Sequence, residues 1–308
     1  MNVVAGRETV SAGGPPVPAA EDFVVQPRPS RVVAILGWLK GDLRALVSLL
    51  FLIGMALVGI FASHIVPYSP TAQNVSELLS PPSAAHWLGT DDLGRDVLSR
   101  LIYGAANSMY ACFLAVGVGT VIGVPVGLVI GFTGGWLDEI VSRFIDSLLS
   151  FPAIVLAIAV TGALGIGLTN AMLSVGIVFA PGLARLMRAQ TLIVRNALYV
   201  DAARNFGASP FHIIRRHIAP NAIQPVIVQI TLLLAVGLLA EAALSFLSLG
   251  VQPPAASWGG MLARAYNYIE IAPEQMYAPG FAILLTALAF NALGESLRVA
   301  LDPTMKRR

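Results

Sequence analysis

Six apolar runs dominate the chain: Ala45 to Val66, Met109 to Phe132, Ile145 to Gly165, Ile166 to Ala184, Ala222 to Leu247 and Tyr277 to Leu297. Each has about the 20 residues that a helix needs to cross some 30 Å of hydrocarbon, so the pattern predicts six transmembrane helices. Only a glycine-rich turn around Gly165, Gly167 and Asn170 separates the third run from the fourth, which predicts a tight helical hairpin. Residues 1–44, rich in Pro, Gly, Ala and Ser, read as a flexible tail, and the first apolar run starts too deep in the chain for a cleaved signal peptide. The connection 67–107 carries Leu93, Val97, Leu98, Leu101 and Ile102 on one helical face and Arg95, Asp96, Ser99 and Arg100 on the other. That pattern predicts an amphipathic helix lying at the membrane surface.

Composition agrees with a bilayer as solvent. Of 308 residues, 56% are hydrophobic and only 12% charged, against about 25% charged in soluble domains, so no large soluble domain fits. With 19 Lys and Arg against 17 Asp and Glu, the net charge of +2 does not suggest nucleic acid as a partner. The cations do set an orientation. If the N-terminus is cytoplasmic, sixteen of the 19 lie inside and three (Arg95, Arg100 and Arg264) outside, which predicts that both termini are cytoplasmic. The expected organisation is a cytoplasmic tail 1–44, a transmembrane domain 45–304 with outside loops 67–107 and 248–276 and an inside connection 185–220, and a last tail 305–308. The single cysteine, Cys112, rules out a disulfide framework or a Cys-ligated metal within the chain.

The inside connection is dense in helix punctuation. Asp201 can cap a helix through Ala202, Ala203, Arg204 and Asn205, with Gly207 ending it; Ser209 and Pro210 then start a second helix on which Phe211, Ile214 and Ile218 share a face until Pro220 stops it. Such a hairpin serves either as an interfacial anchor or as a docking surface for a cytoplasmic partner. In the second run Gly119, Gly123, Gly127 and Gly131 recur every four residues and mark a close-packing face, whether toward this chain or another subunit. Glu241 and Asn291 are the candidate translocation-pathway residues. Glu241 is off the centre of its span, so a partly solvated glutamate near the translocation mouth, or one hydrogen-bonded between helices, fits it better than a proton relay, and Asn291 fits hydrogen bonding across helices better than ligand contact. No phosphate-binding loop is present, because neither Lys40 nor Lys306 follows a glycine, and no nucleophile elbow or His-Glu-x-x-His pair occurs. No catalytic residue, cofactor or metal is expected.

The run Tyr199-Val200-Asp201-Ala202-Ala203-Arg204-Asn205-Phe206-Gly207-Ala208-Ser209, continuing to His217-Ile218-Ala219-Pro220-Asn221, resembles the "EAA" loop of binding-protein-dependent ABC importer permeases. Three further segments resemble the C-type subunit of the dipeptide/oligopeptide branch. They are Leu88-Gly89-Thr90-Asp91 with Gly94-Arg95-Asp96 and Ser99-Arg100; Leu244 to Leu247 with Gly250 to Pro254 and Ser257-Trp258-Gly259; and Asn291 with Gly294, Leu297-Arg298 and Leu301-Asp302-Pro303. Asp201 stands where the family has Glu, and Ser248 where it has Gly. The resemblance implies an all-α integral membrane protein with six transmembrane helices, a type I ABC importer permease-like fold and a place in a bacterial cell membrane. It implies as partners a homologous B-type permease subunit completing a heterodimeric pore, two cytoplasmic ABC ATPases and an extracytoplasmic solute-binding protein. It assigns Val200 to Arg204 and Phe206 to Ser209 to ATPase coupling and peptides to the cargo. Nickel complexes, glutathione-like molecules and, from another class, ion-coupled secondary transport stay open.

Overall fold

The computed structural model describes residues 41–301; all but the end of the 1–44 tail, and the whole of 305–308, lie outside them. The described residues are helical, with one isolated bridge between Thr90 and Asp96. Helix α1 spans Leu43–Ile60, capped by Asp42 Oδ1 accepting from the amides of Arg44 and Ala45 at 3.0 and 3.3 Å. Helix α2, Val97–Thr133, follows after a folded polar loop, then α3, Gly135–Leu149, and α4, Ala153–Leu164. Helix α5 is Leu168–Arg195, α6 is Leu198–Asn205, and α7 runs unbroken over Pro210–Phe246. Helix α8, Trp258–Tyr266, and α9, Tyr277–Leu301, complete the bundle.

Among the described residues five helices are long and apolar enough to cross a membrane, and the pair α3 and α4 makes a sixth span only if taken together. The third span, expected over Ile145 to Gly165, is therefore a bent pair of helices. The two helices meet at 96° across Ser150, Phe151 and Pro152. Proline disfavours helical backbone in the residue before it, so an apolar run that reads as continuous is broken there. Helix α4 alone, 12 residues or about 18 Å, is too short to cross. Helix α3 instead pairs Asp138 with Arg188 (Oδ2 to Nη2, 2.7 Å) and Asp146 with Arg185 on α5. The Gly165 to Gly167 turn joins α4 to α5 as expected, with φ of +96° and +144° at its two glycines.

Helices α2 and α5 form the closest seam of the bundle. A β-carbon at Gly119, Gly123, Gly127 or Gly131 would lie 2.9, 2.5, 2.2 or 2.8 Å from the nearest atom of α5. Gly176 of α5 returns the contact, 2.6 Å from Val118 Cβ. The four-residue stripe thus faces a helix of this chain, and backbone approach of this kind supplies dispersion contacts in a solvent without a hydrophobic drive.

Two ends of the bundle carry different structures. At one, the α6 region forms the hairpin. At the other, the loop before α2 and the segment 247–276 form a cap. The surface-lying amphipathic helix expected around Leu93 to Ile102 is absent: residues 97–102 are the first turns of α2 itself, and the polar face is folded inward. Arg95, Asp96, Ser99 and Arg100 are all buried. Their partners come from the cap. Asp91 accepts from the Arg95 amide (3.0 Å) and Nε (2.7 Å), and its carboxylate lies 3.4 Å from Arg100 Nε. Arg100 Nη1 donates to the Pro70 carbonyl at 2.8 Å. Gly94, at φ +69°, lets the chain turn where a β-carbon would stand 1.9 Å from the Asn74 carbonyl oxygen.

Candidate functional site

At the hairpin end, α6 begins at Leu198 with Ala197 in the cap position, four residues earlier than a cap at Asp201 requires. Asp201 lies instead in the first helical turn, where a carboxylate complements the helix dipole, 3.6 Å from Arg204 Nη1. The helix ends in a Schellman motif. The Gly207 amide donates to the Arg204 carbonyl (3.0 Å) and that of Ala208 to Ala203 (3.1 Å), with Gly207 at φ +81°. Ser209 then caps the next helix, its hydroxyl accepting from the His212 amide at 3.3 Å, and Pro210 takes the first position.

Pro220 does not stop that helix. Residues Ile214–Ile218 form a π turn, and the helix continues through Ala219 and Pro220 to Phe246. Near a proline, which brings no amide, a wider turn re-spaces the backbone bonds without ending the helix. The face sharing differs too. Ile213 and Ile218 are buried, whereas Phe211 is 71% exposed.

The hairpin is two-sided. Val200, Ile213 and Ile218 pack into one cluster with Leu183, Met187, Ala222 and Val226, so they seat the hairpin on α5 and α7. The other side carries Leu198, Phe206 and Phe211, exposed by 87%, 91% and 71%. Ala202, Asp201, Arg204 and Ser209 are exposed beside them, and Ala203 and Ala208 are half-buried. Large apolar side chains held outward on a polar frame mark a surface for contact with a protein or with the membrane interface. Of the residues assigned to coupling by resemblance, Val200 therefore lies on the inner side and holds the rest in place.

At the cap end Glu241 is sealed in protein. Its Oε1 accepts from the hydroxyls of Ser245 (2.8 Å) and Ser257 (2.7 Å), and Ser257 in turn caps α8 through the Gly260 amide (3.1 Å). Gly259 lies against it, where a β-carbon would be 2.5 Å from Ala242 Cα and 2.8 Å from Glu241 Oε2. Trp258, fully buried, donates its amide to Ser108 Oγ and its ring Nε1 to the Leu101 carbonyl, each at 2.9 Å. Glu241 thus ties α8 to α7, and Trp258 ties it to α2. Asn291 lies apart from this cluster, on the exposed side of α9.

A polar cavity of about 470 Å³ opens beside this joint, lined by Asp92, Gln252, Arg264, Tyr266, Asn267 and Tyr268 among others. The sequence does not single these residues out as a group, since they come from three separate segments. Two signs precede the structure: Gln252 lies in the segment Gly250 to Pro254 that carries the resemblance, and Arg264 is one of the three cations on the outer side of the predicted topology. Among the described residues no group of three His, Cys, Asp or Glu side chains is arranged to hold a metal.

Residues 123–307 match the family described as "binding-protein-dependent transport system inner membrane component", and residues 39–82 match the "N-terminal TM domain of oligopeptide transport permease C". The dipeptide transport system permease protein DppC of Alkalihalophilus pseudofirmus is 42% identical over 268 residues, covering 87% of this chain and 88% of its own. The probable D,D-dipeptide transport system permease protein DdpC of Escherichia coli K12 is 42% identical over 271 residues (88% and 91%). The glutathione transport system permease protein GsiD of Pectobacterium atrosepticum is 41% identical over 260 residues (83% and 86%). Among solved structures, an inward-facing MetNI methionine ABC transporter chain superposes with a TM-score of 0.55 over 66% of this chain and 97% of that one, at 22% identity, a likeness of fold.

Proposed function

The chain belongs to the family of binding-protein-dependent transport system inner membrane components, and from that premise we propose that it is the transmembrane permease subunit of an ATP-driven importer of short peptides. It is a multi-pass protein of the bacterial inner membrane. In this reading the hairpin end faces the cytoplasm, as the cation distribution predicts, and the cap faces outside. A homologous B-type permease completes the pore, two ABC ATPases dock on the hairpins, and a solute-binding protein delivers cargo to the cap. ATP hydrolysis resides in the ATPases. The relatives' names divide between dipeptides and glutathione, all short peptides with free carboxylates, so the proposed cargo is that class.

One observation carries the coupling mechanism: the hairpin is rigid on its inner side and apolar on its outer side. Val200, Ile213 and Ile218 fasten it to the bundle, so displacement of the docked surface moves α7 rather than bending a loop. Helix α7 is unbroken from Pro210 to Phe246. From Pro210 to Glu241 it extends about 47 Å at 1.5 Å per residue, and at Glu241 it grips α8 through Ser257. Closure of the ATPases around ATP on one side is thereby linked to the position of the cap on the other. ATP drives the change because it binds the closed ATPase arrangement more tightly, which biases two states of one assembly.

The test replaces Phe206 by Ser and Asp201 by Lys, neither of which contacts the buried cluster. Both variants are expected to insert and to pair with the other permease. Removing a phenyl group that is buried on docking lowers ATPase affinity by roughly 1.5–3 kcal/mol, about 10- to 150-fold. Co-purification of the ATPases and hydrolysis stimulated by loaded binding protein measure it. Wild-type levels of both in the two variants would reduce the hairpin to an interfacial anchor.

A further inference from the structure

The cap cavity is built of unlike parts. Its volume of about 470 Å³ falls within the ~300–1,000 Å³ of small-ligand sites. Asp92 enters from the loop before α2, Gln252 from the segment after α7, and Arg264 from the last turn of α8. Phe246 and Tyr266 meet edge-on at 5.2 Å on its wall, and Tyr268 and Asn267 complete the rim. Arg264 uses only Nη1 in its pairing with Asp92, at 3.1 and 3.4 Å to the two carboxylate oxygens. Its Nε and Nη2 make no hydrogen bond among the described residues, leaving one edge of the guanidinium fork unused, the edge that binds a carboxylate with two parallel bonds.

The charge behind the cavity is unequal as well. Asp91 and Asp92 are the carboxylates, and Arg95, Arg100 and Arg264 the guanidiniums, of a single contiguous cluster. Arg95 lies 2.6 Å from Asp91 and 3.8 Å from Asp92, Arg100 lies 3.4 Å from Asp91, and Arg264 lies 3.1 Å from Asp92. Three cations against two anions leave one positive charge, and the partly exposed member is Arg264, whose side chain is 30% accessible. The Asn267 amide, the Gln252 Oε1, whose NH2 group is taken by the Ser248 and Gly250 carbonyls, and the aromatic wall supply hydrogen bonding and apolar contact without further charge.

The geometry points to this cavity as a receiving site for a short peptide, whose free C-terminal carboxylate settles on the open edge of Arg264 while its side chain lies against Phe246, Tyr266 and Tyr268. The inference rests on the importer reading above and adds to it the place on this subunit where cargo first binds, and the group it is held by.

The test uses the assembled importer in lipid nanodiscs without its binding protein, titrated with alanyl-phenylalanine and with the C-terminal amide of the same dipeptide. The wild type is expected to bind the free acid at least 10-fold more tightly than the amide. Arg264→Gln should bring that ratio to about one, Arg264→Lys should keep part of it, and Ala263→Phe, which fills the cavity without altering charge, should abolish binding of both. Thermal unfolding of the purified importer, compared across the variants, shows that the cap has kept its fold. Equal affinity for acid and amide in the wild type, or an unchanged ratio in Arg264→Gln, would overturn the assignment. The two readings fail differently. If peptides are not the cargo, cells lacking the chain take up the dipeptide normally; if they are the cargo but bind elsewhere, uptake depends on the chain while Arg264→Gln leaves the ratio intact.

Discussion

Adding one methyl group at Gly127 should part the two most closely packed helices of the bundle. An alanine β-carbon there would stand 2.2 Å from the Ala184 carbonyl oxygen, 2.9 Å from Met187 Cβ and 3.0 Å from the Ala184 carbonyl carbon. The obstruction is backbone, which cannot rotate away, so α2 and α5 must separate by about 1 Å, enough to forfeit a quarter to half of the dispersion well for the atoms of the seam. Overpacking of this kind costs roughly 1–3 kcal/mol. Against it stands the preference of helices for Ala over Gly, about 1 kcal/mol. A matched control removes that term: Gly117, in the same helix, has nothing within 4 Å of its β-carbon position, and Gly117→Ala carries the propensity gain alone. Gly54 in α1, equally open, is a second control. The expected result is that Gly127→Ala lies about 1–3 kcal/mol below Gly117→Ala, read from denaturant-induced loss of helical circular dichroism in mild detergent. Two variants that agree within about 0.5 kcal/mol would refute close approach at the glycine seam.

Two further outcomes concern the cap. Ser248 holds φ at +63° where only glycine is at ease, so Ser248→Gly should relieve about 1–2 kcal/mol of left-handed strain, less the chain entropy of glycine, and raise the midpoint of thermal unfolding; a lowered midpoint would contradict this. His86 donates between Asp96 (2.9 Å) and Glu77 (3.3 Å), and the hydrogen bond to Asp96, ahead of burial, which opposes it, raises its pKa above the ordinary histidine value. Because the folded value is the higher one, this contribution is complete below about pH 6.5 and is lost as pH rises through the raised pKa. Amide hydrogen exchange over residues 77–96 should accelerate across that window beyond the intrinsic base-catalysed rate, and His86→Gln should remove the excess; identical profiles in the two proteins would dismiss the mechanism.

Which features were legible in the sequence follows from the range of the forces that make them. Transmembrane runs depend on local apolar content, and the four-residue glycine spacing depends on one helix, so both could be read in place. Breaks inside apolar runs were not, because a proline does not mark them by itself: the chain turns sharply before Pro152, whereas helices run on through Pro125, Pro181, Pro220 and Pro225. The cap was misread for a related reason. Alternation of polar and apolar residues over 93–102 gives the face of a helix but not what covers that face. Water was the default, whereas the structure supplies Asp91, the Pro70 carbonyl and a loop that only Gly94 allows to close. Burying guanidiniums is costly unless each finds carboxylate or carbonyl partners, and while Asp91 and Arg95 stand at a local spacing, the partners that Arg100 and Arg264 draw from residues 70, 91, 92 and 254 are invisible to any local pattern. Arg95, Arg100 and Arg264 were the three exceptions to an otherwise cytoplasmic distribution of cations. A rule of orientation can only tolerate such exceptions. In the folded chain all three enter one cluster with two aspartates, and the charge left over lies at the mouth of a cavity. A scatter of exceptions would mean surface tolerance; their convergence on one point, at the cost of burying two of them, is what a site for an anionic group requires.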